Sequence, residues 1–299
     1  MRLTWRSFWF LLQRTFIATA RDNGFGIAKG AAYSALLSFF PMLATAATLL
    51  VQARADLVAR TVADFLFEVV PPGTEQIIAE QFRSRSQLPA SFLVGAGLLA
   101  LWAASSTVKS LIEGFQAAYH LPKNRSYLHN SGVAILIVLG TIGPLLAASS
   151  VVVFGVWIDQ WVMSWARVDP ALATAAEWWP TINQLARYVI AFGAIVAVTS
   201  ILYYFGPYRQ QTWNGVWGGA FMATVFWLIA TSVFGWYVRN VSPYNLLYGG
   251  LGSIIALLVW LYLISVIALI GCEFNAQYER YFAETAGHPV DEPGELKAS

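Results

Sequence analysis

Apolar runs of about 20 residues alternate with short polar stretches along this chain. The longest, Leu251 to Cys272, holds no charge and ends against Glu273. A bilayer core about 30 Å thick needs about 20 apolar residues at helical rise, and lipid cannot hydrogen-bond a stray backbone group. Such a run predicts a membrane-spanning helix. Further runs at about 31–51, 91–113, 132–157, 184–205 and 214–238 predict five more. The expected fold is therefore all-α: a polytopic integral membrane protein with six transmembrane helices over 30–276.

The polar stretches have their own pattern. Residues 1–29 interleave Trp5, Phe8, Trp9, Leu12 and Phe16 with Arg2, Arg6, Arg14 and Arg21, which predicts an amphipathic helix on the cytoplasmic membrane surface. Ala18-Thr19-Ala20 resembles a signal-peptide cleavage site, but Gln13 and Arg14 interrupt the apolar region that would precede it. Gly24, Gly26 and Gly30 are expected to loosen the chain before the first span. Between Gln52 and Ala90, Val58, Val62, Phe65, Leu66 and Val69 recur at helical spacing before Pro71-Pro72-Gly73, and Ile77, Ile78 and Phe82 follow. These predict two amphipathic helices in the first outer loop. Residues 277–299 read as a polar cytoplasmic tail.

Within the spans a few positions depart from the apolar rule. Pro41 removes a backbone donor in mid-helix and predicts a kink or a break that either bends the helix or opens a cavity; Pro144, beside Gly140 and Gly143, marks another. Gly30, Ser34 and Ser38 repeat every four residues and form a seam for close helix approach. Gly215 and Gly219 have the G-x-x-x-G spacing that serves the same purpose. On the second span Trp102, Ser106, Lys109, Glu113 and Gln116 follow spacings of four, three, four and three, which places a polar stripe on one helical face. Lys109 and Glu113 either snorkel to the interface or form a charged gate or headgroup site facing the bundle interior.

Composition narrows the classes. Charged residues make up 11% of the chain, far below the roughly 25% of soluble domains. Six spans put both termini on one side, and the distribution of Lys and Arg favours the cytoplasm for that side. Trp157, Trp161, Trp165, Trp178 and Trp179 cluster in or beside the loop after the third span, as an aromatic belt at the outer interface does. The one cysteine, Cys272, lies in an apolar helix, so no disulfide within the chain and no cysteine metal cage can form. His120 and His129 flank a loop without the acidic or thiol partners of a metal site. No P-loop spacing is present, and no cofactor motif. Nothing resembles a basic nucleic-acid surface or a hydrolytic acid/base pair, so nucleic acid is not an expected partner.

Four phrases of the chain carry a resemblance: Gly30-Ala-Ala-Tyr-Ser-Ala-Leu-Leu-Ser-Phe-Phe-Pro41, Trp217-Gly-Gly-Ala-Phe-Met-Ala-Thr-Val-Phe-Trp227, Tyr248-Gly-Gly-Leu-Gly-Ser253, and Trp260-Leu-Tyr262 leading into Gly271-Cys-Glu-Phe-Asn-Ala276. Together they resemble the YihY/BrkB family of bacterial inner-membrane proteins, over nearly all of Gly30 to Ala276. The resemblance implies a six-span inner-membrane protein, linked in some members to serum resistance and virulence and in others to export of lipopolysaccharide precursor or other lipid. Some members have been labelled ribonuclease BN; the residues here argue against that chemistry. Two readings follow. One is a transporter or flippase for an amphipathic anionic lipid, with Ser106, Lys109, Glu113, Gln116 and Glu273 at its substrate site. The other is a scaffold whose outer loop docks a periplasmic protein partner. The small-residue seams serve contacts within one chain or between chains, which leaves an oligomer open.

Overall fold

The computed structural model describes residues 5–52, 90–122, 127–153, 179–209, 211–240 and 250–285. The expected outer-loop helices between Gln52 and Ala90, Lys123 and Arg125, the tryptophan loop from 158 to 178 and the chain from 286 onward lie outside the described residues. Among the described residues the apolar runs fold as helices and no strand occurs: α1 (Trp5–Arg21), α2 (Gly24–Gln52), α3 (Ala90–Ala118), α4 (Tyr127–Val153), α5 (Trp179–Phe205), α6 (Trp213–Asn240) and α7 (Gly250–Thr285).

From α2 to α7 each helix packs against the next, and α7 returns to touch α2 and α3, so the six long helices close a ring in chain order. Five of them hold stretches long and apolar enough to cross a membrane: Gly24–Thr45, Val94–Ala118, Tyr188–Phe205, Trp213–Val238 and Gly252–Thr285. In α4 the apolar stretch is the shorter His129–Pro144, within a helix that has the 27 residues of α5. The protein is a multi-pass membrane protein.

α7 is the pillar of the ring. Twelve of the thirteen residues from Ser265 to Gln277 are buried, which means the helix is covered on every face there. It is also longer than its apolar run. The helix continues to Thr285, nine residues into the segment read as a polar tail, and buries Glu273, Asn275 and Gln277. Besides α6, α2 and α3, α7 packs against α1, which lies along this extension. Helix α1 buries Leu11, Thr15, Ala18 and Thr19 and leaves Trp5, Trp9, Phe16 and Ile17 exposed. The end of the bundle that carries α1 and the close of α7 is called the terminal face below.

Three other expectations change. Gly24, Gly26 and Gly30 do not loosen the chain, because α2 begins at Gly24. The reversal between α1 and α2 is made by Asn23, at φ 57°, a left-handed position that asparagine tolerates. A Cβ on Gly24 would lie 2.6 Å from Thr19 Cγ2, so the turn needs a glycine there. Of the two outcomes expected at Pro41, the break does not occur, since the helix runs on through it, as α4 does through Pro144. Neighbouring hydroxyls bond to backbone carbonyls in α2: Ser38 Oγ donates to Ala35 O at 2.8 Å and Thr45 Oγ1 to Pro41 O at 2.8 Å. Finally, the close-packed seam of α2 is not the column through Gly30. The buried column is Ala28, Ala31 and Ala32, with Ser38 beside it; Ser34 is half-buried, and a Cβ on Gly30 would meet nothing within 4 Å. Gly30 stands about half a turn from Ala28 and Ala32, on the far side of the helix.

Candidate functional site

Where α6 meets α7, glycines let two backbones touch. A Cβ on Gly219 would run into the carbonyl oxygen of Gly271, and one on Gly271 would run into Tyr203 Oη and lie 2.8 Å from Gly219 O. At Gly215 it would lie 3.3 Å from Glu279 Oε1. Into this contact α7 inserts Asn275, 1% exposed. Its Oδ1 accepts from Gly219 N at 2.6 Å and its Nδ2 donates to Val216 O at 3.2 Å, so a buried amide is satisfied by the backbone of α6. Tyr203 of α5 reaches the same level. Its hydroxyl donates to Ala268 O at 2.7 Å and its ring stands edge-on to Phe115 of α3, centroids 5.4 Å apart.

Just below, the extension of α7 gathers the charges of the terminal face. Glu273, 2% exposed, accepts from Gln277 Nε2 at 2.8 Å and lies 4.0 Å from Arg280 Nη1. Arg280 also donates to Ala118 O at 2.6 Å, capping the end of α3. Glu279 takes Arg209 from the α5–α6 connection at 2.5 Å, and Arg209 lies over the Tyr119 ring, 4.5 Å from its centroid. Burial pushes the Tyr119 phenol far above its ordinary pKa, so it stays neutral and the contact is cation–π. Glu284 takes Arg14 of α1 in a two-pronged pair at 3.0 and 3.1 Å. Beside these, His120 Nε2 meets Asp22 Oδ2 at 3.3 Å and ties the end of α3 to the α1–α2 turn. His120 itself sits at φ 51°. His120 N donates to Ala117 O and Leu121 N to Gln116 O, both at 2.9 Å, a Schellman closure in a position that usually favours glycine.

The residues proposed from sequence divide into two groups. Glu273 belongs to the enclosed cluster just described, and Gln116 is buried at the end of α3. Ser106 and Lys109 are half-buried, Glu113 is exposed and Trp102 is 63% exposed. The direction of their face follows from its opposite. Gly114 packs on Leu269 of α7 and Ile27 of α2, while Leu111, Ile112 and Phe115 are buried. The stripe from Trp102 to Glu113 therefore points away from the pillar and does not join Glu273 in an interior gate. It spans twelve residues, about 16 Å along the helix. Sequence reasoning missed Asn275, Tyr203 and the Arg209–Glu279–Tyr119 group. Among the described residues no group of three His, Cys, Asp or Glu side chains could hold a metal ion.

Apolar helices in a closed ring, with several of the described ionisable groups collected at the terminal face, define a polytopic all-α membrane protein. A model of the virulence factor BrkB family matches residues 15–295, and the chain belongs to that family. The match takes in half of α1 and all of the α7 extension, beyond the range of the resemblance read from sequence. Among its relatives, a protein of Bacillus subtilis described as putative ribonuclease-like protein YfkH is 26% identical over 82% of this chain and 86% of its own length. UPF0761 membrane proteins of Alteromonas mediterranea and Pseudoalteromonas atlantica are each 26% identical, over 89% and 91% of this chain respectively and 87% of their own lengths. No solved structure matches.

Proposed function

We propose that this protein is an inner-membrane transporter of flippase type for an amphipathic anionic lipid or envelope precursor, with both termini in the cytoplasm and a role in envelope integrity. The observation that carries this reading is the stripe on α3. A membrane helix that carries exposed Trp102 and Glu113 and half-buried Ser106 and Lys109 on one face, opposite its contact with α7, offers surrounding lipids a polar track reaching about halfway through a 30 Å core. Such side chains are costly in lipid, and their placement there is a functional signal. In this reading a headgroup phosphate pairs with Lys109 and slides along Ser106 while its chains stay in the bilayer. Glu113 sits where the track meets the terminal face and selects against a second anion. Gln116 and Glu273 hold the inner end of the track in place from within the bundle. With no P-loop in the sequence, movement is downhill or driven by a gradient or partner.

A hydrolytic reading is less well supported. The acidic groups of the terminal face are already engaged: Glu273 by Gln277, Glu279 by Arg209, Glu284 by Arg14 and Asp22 by His120. The ribonuclease-like wording belongs to the name of the Bacillus subtilis relative and assigns no chemistry to the residues of this chain.

The test is lipid scrambling in liposomes with labelled anionic and zwitterionic lipids. Wild-type protein is expected to move the anionic lipid. Lys109→Ala should slow it at least fivefold, with a smaller effect on the zwitterionic lipid, while the protein stays monodisperse. Equal rates for wild type and Lys109→Ala, or no movement of either lipid by folded protein, would overturn the proposal.

A further inference from the structure

A groove of about 430 Å³ lies between α1, α6 and α7, away from the α3 stripe. That is within the roughly 300–1,000 Å³ of small-ligand sites. Its α6 wall runs from Asn214 through Gly218 and Phe221 to Phe226, thirteen residues whose ends stand about 18 Å apart along a membrane helix. One leaflet of a 30 Å hydrocarbon core is about 15 Å deep. The groove is thus as long as one acyl chain and runs along the same direction. Its chemistry is graded in the same sense. Asn214, Asn275 and Tyr278 line the end at the terminal face, and Met222, Val225 and Phe226 line the end toward the bilayer centre. No lining residue is charged. Phe8 of α1 closes one side, its ring 6.1 Å from that of Phe274.

We infer that this groove is a resident site for one acyl chain of a bilayer phospholipid. Three features favour that occupant over a peptide segment. The groove opens beside Trp217 and Phe221, 47% and 55% exposed, on a face of α6 that the membrane bathes directly. An extended peptide there would leave backbone groups unpaired against apolar walls, whereas a methylene chain leaves none. Asn275, the most buried polar group in the wall, already spends its amide on Gly219 and Val216, so the floor presents little that would recognise a polar ligand.

The inference stands apart from lipid movement along α3, since a lipid held by α1, α6 and α7 requires no transport. Glycine 218 supplies the test. A Cβ there would lie 3.9 Å from Phe274 Cε1 and 3.9 Å from Asn275 Oδ1, which is ordinary contact, so Gly218→Leu fills the groove without pushing on the backbone. Full-length protein in nanodiscs is irradiated with a phospholipid carrying a diazirine in one acyl chain, and the adducts are mapped by mass spectrometry. Labelling should concentrate on α6 and the facing parts of α1 and α7. Gly218→Leu should lower it at least fivefold, and Gly193→Leu on α5, where a Cβ meets nothing within 4 Å, should leave it unchanged. Should Gly218→Leu not fold, Val225→Trp fills the groove from its inner end and should have the same effect. Adducts spread evenly over all exposed helices, labelling that survives both filling variants, or displacement by free fatty acid but not by phospholipid would overturn the assignment.

Discussion

The tightest contact in the bundle gives the sharpest prediction. Gly271 faces Tyr203 Oη so closely that an added methyl would run into it, while also lying 2.8 Å from Ala223 Cβ and 2.8 Å from Gly219 O. Gly271→Ala must therefore push the tyrosine hydroxyl off Ala268 O or spread α7 from α6. Overpacking a core of this kind costs about 1–3 kcal/mol, and a lost hydrogen bond adds about 1 kcal/mol. The expected total is about 2–4 kcal/mol. Tyr203→Phe alone should cost about 1 kcal/mol, because Ala268 O keeps its helical partner. Combined, the two changes should not add. The missing hydroxyl makes room for the methyl, so the double variant should be at least about 1 kcal/mol more stable than the sum of the single costs predicts. Reversible unfolding by sodium dodecyl sulfate in mixed micelles, followed by tryptophan fluorescence, measures each corner of this cycle. Costs that add within about 0.5 kcal/mol would refute the claim that Gly271 exists to seat Tyr203.

Three further predictions use the same terminal face. Arg209→Ala removes a pair to Glu279 and a cation over Tyr119 and should cost about 1–2 kcal/mol, whereas Arg14→Ala, whose pair with Glu284 is 36% and 46% exposed, should cost less than about 1 kcal/mol and lose that effect in high salt. The same unfolding titration at two salt concentrations checks both. Glu273→Ala leaves the Gln277 amide without its acceptor and should cost about 1–3 kcal/mol, with Glu273→Gln, which keeps the volume and an acceptor oxygen, closer to wild type. A chain ending at Ala276 loses Glu279, Arg280, Tyr281 and Glu284 and should release α1, so that a cysteine at fully buried Thr15 becomes reactive to a maleimide in the membrane; a chain ending at Thr285 should keep it protected.

The helices were legible because long apolar runs leave a chain in lipid one choice of backbone, and Leu251 to Cys272 announced the pillar by length alone. The end of that helix was not legible. Glu273, Asn275, Gln277 and Glu279 resemble a solvated tail in composition, but their partners lie far away in sequence: Gly219 is 56 residues from Asn275 and Arg209 is 70 from Glu279. No local period encodes such pairings. The spacing of Trp102 to Gln116 follows the helical period of α3, yet which way each side chain turns depends on where α7 and α2 stand, and Gln116 is buried while Trp102 and Glu113 are exposed. The same gap explains Gly30. A column of small residues every four positions is visible in sequence, but several such columns run along α2, and the crossing with its neighbours picks the one through Ala28 and Ala32. One missed residue did leave a trace: Asn275 lies within a phrase that carried the family resemblance, as does Gly219, which the G-x-x-x-G spacing had marked for close packing, and their mutual contact gives that trace a physical reason.

The build of the terminal face bears on how a lipid could pass. At the terminal face α6 and α7 meet backbone to backbone, Asn275 bonds across the contact, and ion pairs or hydrogen bonds from the α7 extension reach α1, α3 and the α5–α6 connection. Opening an interior path there means breaking buried hydrogen bonds worth about 1–3 kcal/mol each when left unmade, together with the packing around Tyr203. Farther along α5, Leu185, Tyr188, Val189 and Ile190 are 47–65% exposed. A headgroup moving over the outside of α3 breaks none of the terminal-face contacts. Under that path, substitutions that stiffen the α6–α7 contact leave lipid movement unchanged while Lys109→Ala slows it. A rocking mechanism that opens the bundle at the terminal face requires the reverse.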